Sequence, residues 1–213
     1  EVTQIGKKCH SGCEIFKIMG DCIMPREGIF TRVLKGGVIS EGDEIQVVKR
    51  PMRAAVLTAS DSGYAGERED LSGPAIQAML EENGYEVVHT ILLPDDREML
   101  SKEMARIADE YVAELLLTTG GTGFSPRDCM PEATMDIAER MVPGIPEAMR
   151  AYSMTITPRA MLSRAAACIR KNTLIINLPG SPKAVKESLG YILPSLQHGL
   201  EILTGEAANC ARK

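Results

Sequence analysis

Two carboxylates and a run of glycines, far apart in the chain, are the residues best suited to chemistry. Gly120, Gly121 and Gly123 stand in the run Thr119-Gly120-Gly121-Thr122-Gly123. Glycines there leave backbone N–H groups free to approach an anion, and a helix starting after the turn adds a favourable dipole. Phosphate suits such a loop. It is not a Walker loop, because no Gly-Lys-Ser or Gly-Lys-Thr follows. Arg127-Asp128 comes a few residues later, offering a cation for phosphate and a carboxylate for a metal. Asp95, in Leu93-Pro94-Asp95-Asp96, is the second carboxylate, and with Asp128 it could hold a Mg²⁺ that bridges nucleotide phosphates. Each feature alone has a plainer reading: a tight strand-to-helix turn for the glycines, a helix cap for Asp95. Ser60-Asp61-Ser62-Gly63 shares that ambiguity with ordinary loop composition.

The elements that must position these residues alternate strand and helix from Arg53 onward. Residues 54–59 form an apolar run ending at Ser60, as a buried strand does. Ser72 is expected to cap a helix that has Pro74 in its first turn, Ile76, Met79 and Leu80 on one face, and Gly84 after its end. Residues 85–93 read as a second strand. The helix after Pro94 repeats Met99, Leu100, Met104, Ile107, Ala108 and Tyr111 at three- and four-residue intervals. Residues 114–118 make a third strand, and residues 173–178 a fourth, which ends at Pro179-Gly180-Ser181-Pro182-Lys183 before a long amphipathic helix to about Leu203. Such alternation predicts an α/β fold, a three-layer sandwich around a mostly parallel, Rossmann-like sheet. Ligands of open α/β sheets bind at the carboxyl ends of strands, where every polar cluster named above falls.

Composition sets the frame. The chain has 213 residues, 44% hydrophobic and 25% charged, enough for one good core and an appendage. Net charge is -5 with no block of Lys and Arg, which argues against a nucleic-acid partner. No apolar run is long enough to span a bilayer and no secretory pattern opens the chain, so a cytoplasmic protein with no membrane partner is expected. Six Cys are then expected as reduced thiols.

Taken together, Leu57-Thr58-Ala59-Ser60-Asp61-Ser62, Leu93-Pro94-Asp95-Asp96, Leu117-Thr118-Thr119-Gly120-Gly121-Thr122-Gly123, Pro126-Arg127-Asp128 with Pro131-Glu132-Ala133-Thr134, and Asn177-Leu178-Pro179-Gly180-Ser181-Pro182-Lys183 resemble the molybdopterin adenylyltransferase family, in that family's order. The resemblance covers residues 53–205 or so and implies a molybdopterin-binding adenylyltransferase domain over residues 53–213. It implies an enzyme, usually trimeric, that uses ATP and Mg²⁺ to transfer AMP to the terminal phosphate of molybdopterin. Carried over, Asp95 and Asp128 are the essential acidic and metal positions. Ser60, Asp61, Thr119, Gly120, Gly121, Thr122, Gly123, Pro179, Gly180 and Ser181 border the nucleotide and pterin, with Arg127 and Lys183 as phosphate contacts. The substrate's own phosphate is the nucleophile, so no Ser-His or Cys-His pair is required. Contact with other enzymes of molybdenum cofactor assembly is a further expectation. Two departures stand out: Cys129-Met130 replaces a common Val-Thr, and Ser181 replaces an Asn.

Residues 1–50 have another grammar. Strands are expected at 2–5, 14–18, 29–34 and 44–48, broken by glycines, with no helical stripe. Residues 1–52 carry 8 basic and 7 acidic side chains against 16 and 22 in the remainder, which supports a boundary near Pro51. Cys22-Ile23-Met24-Pro25-Arg26-Glu27-Gly28-Ile29-Phe30 and the glycines after it resemble the C-terminal part of a MOSC domain. The resemblance makes Cys22 the signature cysteine and a candidate sulfur carrier, in a partial MOSC-like β segment. Only a fraction of such a domain is present, so it must pack on a partner, stay loosely ordered or belong to a longer chain. Cys9, His10, Cys13 and Cys22 lack a paired Cys-x-x-Cys knuckle, so reduced thiols are favoured over zinc. Cys168 reads as helix packing, and His89 and His198 as structural. A binding-only relative, a pyridine-nucleotide salvage hydrolase and a sulfur-transfer module are the competing readings, the last disfavoured because only part of a MOSC-like segment is present. Retention of both aspartates argues against the first, and Gly-Gly-Thr-Gly with Ser-Pro-Arg-Asp argues against the second.

Overall fold

The computed structural model describes residues 2–5, 14–22, 27–44 and 50–205. The chain divides into two compact units, Glu1–Val48 and Lys49–Lys213.

In the first unit β1 (Val2–Ile5) pairs antiparallel with β2 (Ile29–Thr31). The strand expected at 14–18 is instead a helix, α1 (Glu14–Met19). Short apolar runs do not separate the two conformations by pattern, and the local stop signal decides. Gly20 takes φ 73°, and its N–H closes on the Phe16 carbonyl at 2.9 Å, a glycine-terminated helix end. β2 is shorter than expected, and residues 45–48 of the expected fourth strand lie outside the described residues, as do Cys9, His10 and Cys13.

The second unit carries a six-stranded sheet of β3 (Arg53–Ala59), β4 (Glu86–Leu93), β5 (Leu115–Thr119), β6 (Arg140–Met141), β7 (Ala167–Arg170) and β8 (Thr173–Leu178). Spatial order is β4-β3-β5-β8-β7-β6. β4, β3, β5 and β8 are parallel; β7 and β6 add an antiparallel edge. Its helices are α2 (Asp61–Tyr64), α3 (Ser72–Glu82), α4 (Arg97–Asp109), α5 (Met130–Asp136), α6 (Gly144–Met154) and α7 (Pro182–Leu203). Because side chains alternate along a strand, Ala54 and Val56 face one core while Ala55, Leu57 and Ala59 face another. The first core holds Ile76, Leu80, Met149, Val185 and Leu189; the second holds Leu100, Met104, Ile107, Met130 and Ala133. Helices therefore cover both faces, giving the expected three-layer α/β sandwich. No helix among the described residues is long and apolar enough to cross a membrane.

Two local expectations are corrected. Ser72 does not cap α3: Asp70 Oδ1 accepts from Ser72 N–H at 2.9 Å and Gly73 N–H at 3.0 Å, and a carboxylate meets those orphan amides more strongly than a hydroxyl. Cys168 packs from β7 and not from a helix; burial in the second core pushes its thiol up to about 12.

Candidate functional site

Chain order reverses across β3: the next strand, β4, lies on one side of it and β5 on the other. That switch opens a crevice at the carboxyl ends, where ligands of open sheets bind. The loops after β3, β4, β5 and β8 all converge there. Gly120 makes this closeness possible. It has φ 91°, and a Cβ on it would stand 2.1 Å from the Ala59 carbonyl oxygen. Gly120→Ala combines that backbone collision with a strained φ, for an expected loss of about 2–4 kcal/mol. Urea unfolding checks it, and a loss below about 1 kcal/mol would show that the two strand ends can separate without cost.

The carboxylates stand against this turn. A Cβ on Gly121 would meet Asp95 Oδ1 at 2.9 Å, and one on Gly123 would meet Asp128 Oδ2 at 2.7 Å. Asp95 does not cap α4. Asp96 does so, accepting from Met99 N–H at 2.9 Å. Asp95 and Asp61 instead exchange backbone-to-carboxylate bonds of 3.1 and 3.0 Å, which tie the loop after β3 to the loop after β4. Burial first, then the neighbouring Asp61 and Asp128 carboxylates, raise Asp95 above the usual carboxylate range. Asp95 Oδ1 is buried with no protein hydrogen-bond partner, a position that a cation or a donor would satisfy. No group of three or more His, Cys, Asp or Glu among the described residues is arranged to hold a metal. Two carboxylates supplemented by substrate phosphate oxygens is the ligand style of Mg²⁺, and the hard oxygen donors here fit it.

Arg127, expected to reach phosphate, forms a bidentate pair with Asp61, both bonds 2.9 Å. The guanidinium beside Asp61 holds that exposed carboxyl below its usual range. Lys183 is 85% exposed and stands 4.0 Å from Glu187. Ser60 caps α2 through Gly63 N–H at 3.1 Å, and Ser181 caps α7 through Ala184 N–H at 3.2 Å. The Thr119 hydroxyl donates to the Pro179 carbonyl at 2.7 Å, and the Ser72 hydroxyl donates to the Gly180 carbonyl at 2.9 Å. Those bonds spend the hydroxyls on holding the loops together. Asn177, fully buried, donates to Thr118 and Thr134 at 2.9 and 2.8 Å and accepts from Ala166 N–H at 3.1 Å, which locks β8 to β5 and α5.

Two cavities flank these loops. One, of about 360 Å³, is bordered by Ser60, Gly120, Gly180 and Ser181, and by Arg68 and Asp70. The other, of about 300 Å³, is bordered by Thr122, Gly123 and Pro179, with Met149, Arg150 and Arg159. Sequence reasoning missed Arg68, Asp70, Arg150 and Arg159. An Asp two residues before Ser72-Gly73-Pro74 was a usable signal for Asp70; Arg68 and Arg159 sit in stretches without periodicity, and Arg150 sits on α6, a helix not among the expected elements. His89 has a partner in Glu103 at 3.1 Å, so its side chain is satisfied.

A family model described as "Probable molybdopterin binding domain" matches residues 55–198. A molybdopterin adenylyltransferase of Helicobacter pylori strain J99 is 43% identical over 153 residues, spanning 70% of this chain and 86% of that protein. The molybdopterin adenylyltransferase of Escherichia coli K12 is 39% identical over 141 residues, 65% of this chain and 72% of that one. Among solved structures, the molybdopterin biosynthesis enzyme MoaB from Thermus thermophilus superposes with a TM-score of 0.69 at 46% identity, covering 72% of this chain and 97% of that one. The tungsten cofactor synthesizing protein MoaB from Pyrococcus furiosus gives 0.66 at 32% identity, covering 73% and 99%. With that family model matched across the sheet and all four strand-end loops, this chain belongs to the molybdopterin-binding domain family.

Proposed function

We propose that this chain is a molybdopterin adenylyltransferase of molybdenum cofactor assembly. The carrying observation is the meeting of Asp95 and Asp128 with the glycine turn at the sheet's switch point, beside a cavity bordered by Gly120 and Gly180. In the reaction an oxygen of the molybdopterin terminal phosphate attacks the α-phosphorus of ATP. A new P–O–P link forms, the bond from the α-phosphorus to the bridging oxygen breaks, and pyrophosphate leaves with that electron pair. The attacking phosphate is already ionised near neutral pH, so the protein's work is alignment and charge neutralisation.

Asp95 and Asp128 would hold Mg²⁺, whose chemistry is to neutralise charge on the triphosphate. Amides of Gly120, Gly121, Thr122 and Gly123 present donors to phosphate oxygens, and Pro179, Gly180 and Ser181 face them across the crevice. Ser60 and Asp61 shape the entrance, with Thr119 holding the two loops in register through Pro179. Homotrimer formation and a cytoplasmic location complete the reading. Exposed Met154, Ile156, Met161 and Leu162, close in sequence at the end of α6 and just beyond it, support self-association. The first unit is assigned to a MOSC-like segment on its sequence motif, with Cys22 buried and its N–H bonded to Asp21 at 2.8 Å.

Incubating the chain with ATP, MgCl₂ and molybdopterin should release pyrophosphate and adenylylated pterin in equal amounts. Pterin bound at the site with neither product formed would overturn the enzyme reading in favour of a binding protein.

A further inference from the structure

Arg164 lies just beyond a short 3-10 turn (Pro158–Leu162), in a stretch without sequence signal. Its guanidinium nonetheless reaches the glycine turn. Nε donates to the Gly123 carbonyl at 2.6 Å, Nη2 to the Asp128 carbonyl at 2.7 Å, and Nη1 to Glu132 Oε1. The Arg164 N–H adds a bond to the Thr122 carbonyl at 3.0 Å. One planar fork therefore takes the carbonyls at both ends of residues 123–128, together with a carboxylate from the first turn of α5.

Little else anchors that segment. Among the described residues its other hydrogen bonds are a local turn, Asp128 N–H to the Ser125 carbonyl at 2.9 Å and Ser125 N–H to Asp128 Oδ2 at 3.0 Å, a 3.3 Å contact within it, and the Arg127–Asp61 pair. Phe124 is 69% exposed, so apolar packing does not hold it either. With its carbonyl fixed by Arg164, Asp128 keeps only side-chain freedom, which Ser125 N–H and the nearby Gly123 restrict.

We propose that Arg164, braced by Glu132, is a positioning residue that sets the Asp128 carboxylate against the glycine turn for adenylyl transfer; this rests on the function proposed above. Arginine is required because its fork presents donors in fixed directions. A lysine ammonium is a single point and cannot meet three acceptors in one plane.

The test uses the full chain with Arg164→Lys, Arg164→Ala and each combined with Asp128→Asn. Arg164→Lys should remain folded and keep its KM for ATP within about threefold, while kcat falls about 10- to 100-fold, the usual consequence of a misplaced reacting group. In the Asp128→Asn background, Arg164→Lys should cost nothing further, because its effect is routed through Asp128. Trypsin should cut after Arg127 severalfold faster, by about 5-fold or more, in both Arg164 variants. Unchanged kcat in Arg164→Lys, losses that multiply in the double variant, or unchanged cleavage would each overturn the proposal. If the wild-type chain forms no adenylylated pterin, the function reading fails, and the trypsin arm still decides whether Arg164 clamps the loop.

Discussion

Asp128→Asn is expected to lower kcat for adenylyl transfer by about 10²–10³-fold, the scale found when one preorganised charge-stabilising group is removed from a site. The carboxylate lies against Gly123, in a loop drawn to the glycine turn by Arg164. Asparagine keeps the shape, and its carbonyl oxygen can still accept from Ser125 N–H, so only the charge is lost. Asp128 is only half-buried and belongs to no core cluster, so the melting point should move little, corresponding to less than about 1 kcal/mol. Pyrophosphate release by the two proteins at saturating ATP measures the effect. Activity within about threefold of wild type would remove Asp128 from the reaction.

A large expected effect on stability lies at the opposite ends of the same strands. Glu114 precedes β5, its side chain is 0% exposed, and it accepts from Arg50 Nη2, Arg53 Nη2 and Arg53 N–H, each at 2.7 Å. The Arg53 guanidinium also lies 4.8 Å from the Tyr111 ring centre. Burial by itself would raise the Glu114 carboxyl, but the bonds from Arg50 and Arg53 outweigh it and hold the group at about 2 against an ordinary 4.5. A folded-state value below the unfolded one stabilises the protein fully above about pH 4.5, and the contribution disappears as pH falls toward 2. The difference corresponds to about 3 kcal/mol. Glu114→Gln should therefore be about 3 kcal/mol less stable than wild type at pH 7, since two cationic groups lose their buried partner. Urea unfolding from pH 7 down to pH 3 should show the gap between the two proteins narrowing with acid. A constant gap, or one under about 1 kcal/mol at pH 7, would mean that the arginines are satisfied by water instead.

Much of the second unit was legible in the residues, and for local reasons. The strands expected at 54–59, 85–93, 114–118 and 173–178 match β3, β4, β5 and β8 to within a residue at either end. Apolar runs punctuated by Gly, Pro and Asp report backbone geometry directly, and α4 and α7 announce themselves by their three- and four-residue spacing. The edge strands were not legible: β6 and β7 have two and four residues, too few for any period to register. In α1 the short run was ambiguous, and a single glycine settled it.

The same division runs through the site. That Asp95, Gly120, Gly121, Gly123 and Asp128 sit at strand ends follows from where apolar runs stop, so the sequence alone determined which loops carry polar chemistry. It did not determine that Arg127 would turn to Asp61, Thr119 to Pro179, Arg164 to Gly123 and Asp128, or Glu114 to Arg50 and Arg53. Those partners lie tens of residues apart, and no dihedral preference or periodicity relates them. They meet because strand order places β3 between β4 and β5 and packs α5 beneath β8, an outcome of burying two apolar faces at once. Local backbone geometry chose the elements; the packing of those faces chose which side chains would find each other.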